Sequence, residues 1–368
     1  SQAIITSYSP YRPFTSIQES GLYIKELENS ELTYEKKHEL NIGADMGFLN
    51  NRINLAVDWY KRNNYDLIGI VNTQGAGGQI LKYANIASMK SHGIEFTLST
   101  KNIKTKDFNW NTDFIFSNAK NEVTDLKQNA NVMELISGNG FAKQGYPVRG
   151  LFSIPFVGLD KDGIPVIINE KGEATSTDIN FQERQNTGFL KYEGPTDPTI
   201  TGSLGNMFSY KGFRLNLFIT YSFGNVIRLN PVFKAYYSDL TAMTREFKNR
   251  WTLPGDEAKT NVPAILSKRM YDSNEDLKYA YNAYNYSTER IAKGDFIRLK
   301  EISLAYDFPK AWINPLKLTD LSLKVQATNL FLIYADDKLN GQDPEFFNAG
   351  GVASPVPRQF TITLRLGL

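Results

Sequence analysis

The 368-residue chain is nearly charge-balanced, with 41 lysines and arginines against 39 aspartates and glutamates and a net charge of +2. A balance this close to zero gives no reason to expect a nucleic acid partner. Cysteine is absent, which excludes disulfides and thiolate metal sites. Histidine occurs only as His38 and His92, so a histidine-rich zinc site is not expected. No cofactor is expected either.

Apolar residues never form the uninterrupted stretch of about 18 that a transmembrane helix needs. The apolar runs at 67–71 and 152–159 are much shorter. Residues 1–10 lack the basic start and apolar core of a signal peptide, so none is expected there. The pattern is still compatible with a membrane barrel, because barrel strands alternate and never produce a long apolar run.

Apolar and polar residues alternate in segments spread along the chain. The segments lie at 40–48, 53–60, 93–98, 108–116, 213–221, 302–308, 321–328 and 359–368. Each predicts a β-strand with one apolar face. We expect about ten to twelve strands, each about 9–11 residues or longer, the length of a tilted transmembrane strand. Soluble strands average about five or six residues, although a soluble sandwich also alternates.

The connections between these segments alternate in length. Short turns are predicted at 47–52, 102–106, 210–212 and 310–318, and long stretches at 61–90, 119–197, 225–295 and 333–356. Short periplasmic turns and long extracellular loops are typical of outer-membrane barrels.

Aromatic residues flank the short turns: Phe48, Phe108, Trp110, Tyr210, Phe213 and Phe308. An aromatic girdle at the membrane interface predicts this placement, and the ordinary preference of strands for aromatic residues is the alternative.

The alternation assigns two faces. The residues predicted to face lipid are Leu215, Leu217, Ile302, Leu304, Leu323, Val325, Ile362 and Leu364. The residues predicted to face the lumen are Asp45, Asp58, Glu95, Asp113, Arg214, Lys324 and Arg365. For this polar row we favour a hydrated wall that holds a plug by salt bridges over a selectivity path.

Arg298 and Lys300 share the outward phase of Ile302 and Leu304. A charge at the bilayer midplane costs about 2–4 kcal/mol, so both are expected above the lipid at the extracellular end of their strand. An open half-barrel would leave two unpaired edges in lipid, so the chain is expected to pair with an N-terminal portion outside it. The final Leu368 departs from the aromatic end common in such barrels.

A series of short motifs runs in order through the chain. They are LNIGAD at 40–45 with NNRI at 50–53, DWY at 58–60, NIA at 85–87 with HGIE at 92–95, FNW at 108–110 with SNAKNEV at 117–123, DP at 197–198 with the segment 202–210, GDFIRLK at 294–300, ATNLF at 327–331, QDPE at 342–345 and PRQFT at 357–361. Together they resemble the C-terminal half of the SusC/RagA-type TonB-dependent outer-membrane transporters, and GDFIRLK is the most specific of them.

This resemblance implies an all-β, transmembrane antiparallel β-barrel of about 22 strands with a plugged lumen. Residues 1–368 would be the C-terminal part of that one barrel domain, about half of it, with the plug and the TonB-contact segment outside the chain. The implied partners are the N-terminal barrel and plug portion, a SusD-like surface lipoprotein that acts as a lid, TonB and membrane lipid. The implied cargo is a large nutrient, glycan oligosaccharides first and oligopeptides second, imported across a Bacteroidetes-type outer membrane.

Two loop segments are candidates for ligand contact. Aromatic faces stack on sugar rings or apolar side chains, and tyrosine hydroxyls add hydrogen bonds. The candidate residues are Tyr271, Tyr279, Tyr281, Tyr284 and Tyr286, together with Phe346 and Phe347. The alternative, which we favour for the tyrosine run, is a loop that packs on itself.

The segment Asp160–Gly163 begins like a calcium loop but lacks the further ligands, so a hairpin turn is predicted there. No nucleophile elbow, phosphate loop or metal-ligand cluster is present, so an enzyme is not expected. Two other functions remain open: a passive porin, and a soluble β-rich adhesin or carbohydrate-binding module.

Overall fold

The computed structural model describes residues 6–9, 21–24, 29–72, 81–138, 142–232, 243–274, 276–347 and 357–368. Two short strands come first, β1 (Thr6–Ser9) and β2 (Gly21–Ile24), and they pair antiparallel. Four long strands follow: β3 (Lys36–Phe48), β4 (Ile53–Asn72), β5 (Leu81–Lys104) and β6 (Phe108–Leu126).

The chain then leaves these strands for a folded connection. This connection contains α1 (Val132–Ser137), β7 (Gly150–Ser153), β8 (Phe156–Leu159), β9 (Pro165–Ile168), β10 (Ala174–Thr175) and β11 (Lys191–Pro195). Two more long strands follow, β12 (Ile200–Tyr210) and β13 (Phe213–Phe223).

A second folded connection comes next. It contains β14 (Val226–Arg228), 3₁₀ turns at Arg245–Asn249, Asp256–Ala258 and Thr288–Arg290, the helices α2 (Lys268–Ser273) and α3 (Leu277–Asn285), and β15 (Ile291–Lys293). The last part holds β16 (Phe296–Asp307), the helical turn α4 (Lys310–Ile313) continued by Asn314–Leu316, β17 (Asp320–Ala335), 3₁₀ turns at Asp337–Leu339 and Pro344–Phe346, and β18 (Gln359–Gly367).

Nine of the strands form one antiparallel sheet. Their order is β18-β17-β16-β13-β12-β6-β5-β4-β3, so every strand in it lies beside the long strand that precedes or follows it in sequence. The sheet has one strand fewer than the lower end of our expected range, and its edge strands β3 and β18 do not meet in the described residues. The chain is therefore mostly β, with an open sheet.

Apolar rows cross this sheet from strand to strand. Leu215 lies opposite Leu304, Leu304 opposite Val325, and Val325 opposite Ile362, so these predicted lipid-facing residues form one continuous row. A soluble sandwich would bury such a row under a second sheet. Instead, Val325 is 47% exposed and Ile362 is 74% exposed, so no described segment covers this face.

The short turns lie where the sequence predicts them. Strands β3 and β4, β5 and β6, and β12 and β13 are joined by residues 49–52, 105–107 and 211–212, and the helical segment 308–319 joins β16 to β17. The prediction for 61–90 is wrong, because β4 and β5 continue as strands through most of it and only the link 73–80 separates them. That link lies outside the described residues.

Aromatic side chains form a band at the short-turn end of the sheet. Tyr210 lies opposite both Phe108 and Phe213 in the register. The Phe213 ring then lies 4.3 Å from Tyr306, whose ring lies 4.9 Å from Phe308. Such a band suits the interface between lipid and water, where an aromatic ring meets both.

A close approach on the apolar face needs glycine at position 202. Tyr221 lies across the strand at this point, and its hydroxyl donates a hydrogen bond of 2.8 Å to the Ile115 carbonyl. A Cβ on Gly202 would collide with the Tyr221 ring and with the Ile115 carbonyl. Glycine here lets an aromatic ring cover the backbone of the neighbouring strand.

The long connections fold at the opposite end of the sheet from the short turns. We call their described residues the loop layer: 127–138, 142–199, 224–232, 243–274, 276–295 and 336–347. Its largest core packs Val132, Leu135 and Ile136 of α1 against Phe152 and Ile154. Within the described residues, no helix has the length and the apolar composition needed to cross a membrane.

Helix α1 is fixed in the loop layer by its caps. The Glu134 amide donates to the Asn131 side chain at 2.8 Å, and the Asn131 amide donates to the Glu134 carboxylate at 2.7 Å. This reciprocal pair is a capping box, and Gly138 ends the helix at a φ of 68°. The local sequence therefore positions a helix that is too short to be stable in isolation.

Candidate substrate-binding region

The predicted lumen-facing residues share the face of the sheet opposite the apolar rows. Asp58 lies directly across from Glu95, and Ser99 donates a hydrogen bond of 2.6 Å to Asp113. Arg214 and Lys324 both neighbour Ala305, from opposite sides.

Several of these side chains already have partners on the sheet. Arg214 pairs with Asp307 at 2.9 Å, and Lys324 lies 3.9 Å from Glu301. At the two ends of the row, Asp45 lines a shallow depression of about 290 Å³ and Arg365 lies opposite Ser322. The face is a charged wall of both signs, suited to water rather than lipid.

A β-bulge in β16 changes the expected direction of Arg298. Phe218 pairs with Glu301 and Ile219 pairs with Leu299, so Lys300 is an extra residue with no partner in β13. One extra residue reverses the alternation beyond it. The expected outward phase is therefore wrong for Arg298, which lies on the polar face opposite Thr220.

Arg298 is nearly inaccessible to solvent and is held by two acids. Its guanidinium contacts the carboxylate of Asp343, and its Nε lies 3.3 Å from Glu345. The side chains of Arg298 and Asp343 are 5% and 9% exposed. Because a buried charge is stable only when paired, this cluster ties the connection after β17 to the polar wall.

Most described residues of the tyrosine run lie in α2 and α3, and two of its tyrosines are core residues, as the favoured self-packing alternative expects. Tyr281 is 1% exposed and donates to the Ala264 carbonyl at 2.8 Å. Tyr284 is fully buried, with its ring 5.4 Å from Phe156 and the Arg290 guanidinium 5.8 Å from it. Burial raises the pKa of Tyr284 well above its ordinary value. Neither tyrosine offers a surface to a ligand.

The other aromatic candidates lie in different places. Tyr279 is 38% exposed and packs loosely on Phe181, and Tyr271 is partly buried beside Leu277 and its neighbours in the core. Of the seven aromatic candidates, Tyr286 and Phe347 line a common cavity. The structure thus brings together two residues from the separate candidate segments.

This cavity measures about 1020 Å³ and lies where the polar face meets the loop layer. Its wall on the sheet side includes Thr220, Ser222 and Lys300. Four side-chain amides and three further charged residues contribute to the rest of the lining: Asn225, Asn230, Asn282, Asn285, Arg149, Arg228 and Glu345. A space of this size holds an oligomer of several units rather than a single ion.

Arg228 projects from β14 into a set of neutral acceptors. It donates to the carbonyls of Phe152 at 2.5 Å and Ser287 at 3.3 Å, and to the Ser153 hydroxyl at 3.2 Å. The guanidinium lies 5.5 Å from the Tyr286 ring. Desolvation lowers the pKa of Arg228 to about 10, which still leaves it charged at neutral pH.

Neither Arg228 nor the cavity could be recognised from a motif in the sequence. Arg228 stands in a long connection, and only the nearby Asn225 and Asn230 mark the segment as polar. The hairpin prediction at Asp160 is confirmed, since β8 and β9 pair across it. The Asp160 carboxylate accepts the amides of Asp162 and Ile164, each at 2.9 Å.

Comparison with known proteins finds TonB-dependent receptors among the relatives of this chain. No family model matches it. It is 25% identical to TonB-dependent receptor P3 of Formosa agariphila over 93% of this chain and 34% of the relative. It is 26% identical to TonB-dependent receptor SusC of Bacteroides thetaiotaomicron over 92% of this chain and 32% of the relative. The chain thus spans about a third of the length of these curated relatives.

Solved structures share the fold. The RagAB peptide transporter matches with a TM-score of 0.73 and 23% identity over 99% of this chain and 38% of that one. The open-open state of the RagAB peptide importer matches with a TM-score of 0.74 and 22% identity, over 100% of this chain and 38% of that one. The fold, its two-faced sheet and these relatives make the chain similar to TonB-dependent receptors of the bacterial outer membrane.

Within that class, its relatives and structural neighbours include SusC and RagAB, the types that its ordered motifs resemble. Its match to SusC extends over nearly all of its length, so the assignment concerns the whole chain rather than one motif. The relatives are receptors and transporters, not enzymes.

Proposed function

We propose that this chain is the wall of a TonB-energised importer that takes large nutrients across the outer membrane. The observation that supports this proposal is the nine-stranded sheet. It has an apolar face that no described segment covers on one side and a charged face on the other. A sheet with these two faces fits lipid outside and water inside. The proposed protein is not an enzyme.

The open edges support closure with further strands of the same barrel. Ile42 of β3 is 60% exposed, and Phe360 and Ile362 of β18 are 72% and 74% exposed. Unpaired backbone groups in hydrocarbon cost several kcal/mol each, by order of magnitude, so both edges require partners there. We propose that residues 1–368 are the C-terminal part of one barrel of about 22 strands, with the plug and the TonB-contact segment elsewhere in the protein.

The charged face is proposed to contact the plug. Asp45, Asp58, Glu95 and Asp113 supply acids, whereas Arg214, Lys324 and Arg365 supply bases, so a plug with both signs of charge would find counter-charges on this wall. Lipid is proposed to cover the opposite face, at the eight positions predicted from the alternation.

The cargo is proposed to be an oligomer, with glycan oligosaccharides first and oligopeptides second. The supporting features are the cavity of about 1020 Å³, its four amide side chains, and the rings of Tyr286 and Phe347. Amides bind hydroxyls and peptide groups alike, which is why both cargo classes fit. Tyr279, Tyr271 and Phe346 remain proposed contacts for the cargo or for a SusD-like lipoprotein lid.

An uptake experiment tests the import function. Cells with and without the intact protein are fed oligosaccharides or oligopeptides of about three to eight units, sizes that suit a cavity of this volume. Uptake should depend on the protein and should stop when a protonophore removes the energy supply. Uptake that survives the protonophore would support a passive porin instead.

Membrane fractionation tests the adhesin alternative. The protein should stay with outer membranes after a high-salt wash and should enter solution only with detergent. Release by salt alone would contradict a lipid-covered sheet and would favour the adhesin or carbohydrate-binding module.

A further inference from the structure

Of the charged residues that line the cavity, some form ion pairs within the described part of the chain and others do not. Arg149 is paired with Asp197 at 2.8 Å, and Glu345 lies against Arg298. Arg228 and Lys300, by contrast, form no ion pair with any described carboxylate. The cavity therefore has two cations whose charge is not matched locally.

Burying the Arg228 guanidinium at this position costs free energy. All of its described hydrogen bonds go to neutral oxygens, and its Nε has no partner. The acid whose charge acts on it is Glu193, and the Oε2 of that carboxylate is shared with Lys191 at 3.2 Å. A cation removed from water without a partner is unfavourable unless something else supplies negative charge.

Lys300 reaches the same cavity only because of the bulge in β16. Regular alternation would place Lys300 on the face of Ile302 and Leu304, toward lipid. The bulge removes it from the β13 register and leaves it lining the cavity instead. The sheet thus contributes one cation and the loop layer the other.

We infer that this cavity recognises a carboxylate on the imported oligomer, with Arg228 and Lys300 as its binding residues. This inference rests on the proposed import function and deepens it, because it names the chemistry of the cargo. Arg228 supplies planar N–H donors that suit carboxylate oxygens, and Lys300 supplies a second charge. The amides and the ring of Tyr286 hold the rest of the oligomer, whether it is a sugar acid chain or a peptide.

The test uses matched probe pairs on the intact protein, purified from outer membranes in detergent. One pair is a mixture of oligogalacturonates of about three to six units and the same mixture fully methyl-esterified, a span set by the cavity size. The other is tetra-alanine with a free C-terminus and tetra-alanine amide. Titration calorimetry should show the acid of at least one pair binding about tenfold or more tighter than its neutral counterpart.

Substitutions assign the preference to the two cations. Lys300→Gln and Arg228→Met should each remove most of the acid preference, whereas Lys300→Arg should keep it. Lys161→Gln, at the exposed tip of the β8–β9 hairpin, is the matched control and should change nothing. Heat-modifiable electrophoretic mobility checks that each variant is folded. If Arg228→Met does not fold, Lys300→Gln alone tests the inference.

Two results overturn the inference. One is equal affinity, or no measurable binding, for both members of both pairs in the wild-type protein. The other is an acid preference that Lys300→Gln leaves intact in a folded protein. Neither result touches the import function, which fails if uptake of both cargo classes is independent of the protein or survives the protonophore.

Discussion

The sheet and the loop layer of this protein use opposite sources of stability. In the sheet, even central apolar residues such as Leu304 are 47% exposed, so backbone pairing rather than a buried core holds its strands together. In the loop layer, Phe152, Ile154 and Tyr284 are at most 1% exposed, as in the core of a water-soluble domain. The difference teaches that the described parts of the long connections form a folded body with its own cores.

Tyr284 gives the largest expected effect. Tyr284→Ala removes a fully buried ring from the core around Val232 and Val262, which should cost the loop layer about 3–5 kcal/mol. Limited proteolysis should cut residues 243–295 much faster, while the heat-modifiable mobility of the barrel stays unchanged. The control is Tyr279→Ala, whose ring is 38% exposed and should matter little. Loss of the heat-modifiable electrophoretic mobility in Tyr284→Ala would show that the sheet and the loop layer do not unfold independently.

Ile362 gives the corresponding test in the sheet. Ile362→Arg places a charge on the apolar face of β18 and should cost about 2–4 kcal/mol if that face lies in lipid near the midplane. Thr363→Arg, one residue later on the polar face opposite Lys324, is the control and should cost far less. Urea unfolding from lipid vesicles measures both. Equal costs would contradict the assignment of the two faces.

The smallest expected effect is the acid sensitivity of one turn in the loop layer. The Asp256 carboxylate accepts the amides of Thr252 and Leu253 and the Thr252 hydroxyl, and these bonds hold its pKa below the ordinary 3.8. The pKa of Asp256 is lower in the folded protein than in the unfolded chain. The ionised carboxylate therefore stabilises the turn fully above the unfolded pKa, and this stabilisation is lost as pH falls through the folded pKa.

Hydrogen exchange of the 251–260 segment measures this effect. Amide protection in the turn should fall selectively as pH drops below about 4, the unfolded pKa of an aspartate. Asp256→Asn should exchange faster at neutral pH and lose this pH dependence. If amide protection in the wild-type turn does not change over that pH range, the ionised Asp256 carboxylate does not stabilise the turn.

Much of the sheet could be predicted because its signal is local. Alternation placed Leu215, Leu304, Val325 and Ile362 on one face, and the structure shows them as one row across four strands. The bulge at Lys300 could not be predicted, because an extra residue is visible only against the register of a neighbouring strand. For the same reason Arg298 was expected on the wrong face.

The candidate site was harder to predict than the fold. Tyr281 and Tyr284 are attractive ligand contacts in a sequence, but their burial depends on Ala264, Phe156 and other residues far away along the chain. Arg228 carries no motif at all. Residues from β14, β16, α3 and the connection after β17 meet in the cavity, and no spacing in the sequence relates them.

The sequence by itself determined that this chain forms long two-faced strands, because a period of two is a property of each segment alone. It also carries the resemblance to SusC/RagA-type proteins, through motifs that keep their order. Only the tertiary structure decided that the described parts of the long connections fold into a body with its own cores. It alone also decided that two cations without an ion-pair partner among the described residues share one cavity. Those features arise from contacts between distant segments, which strand register and packing create and which no single segment encodes.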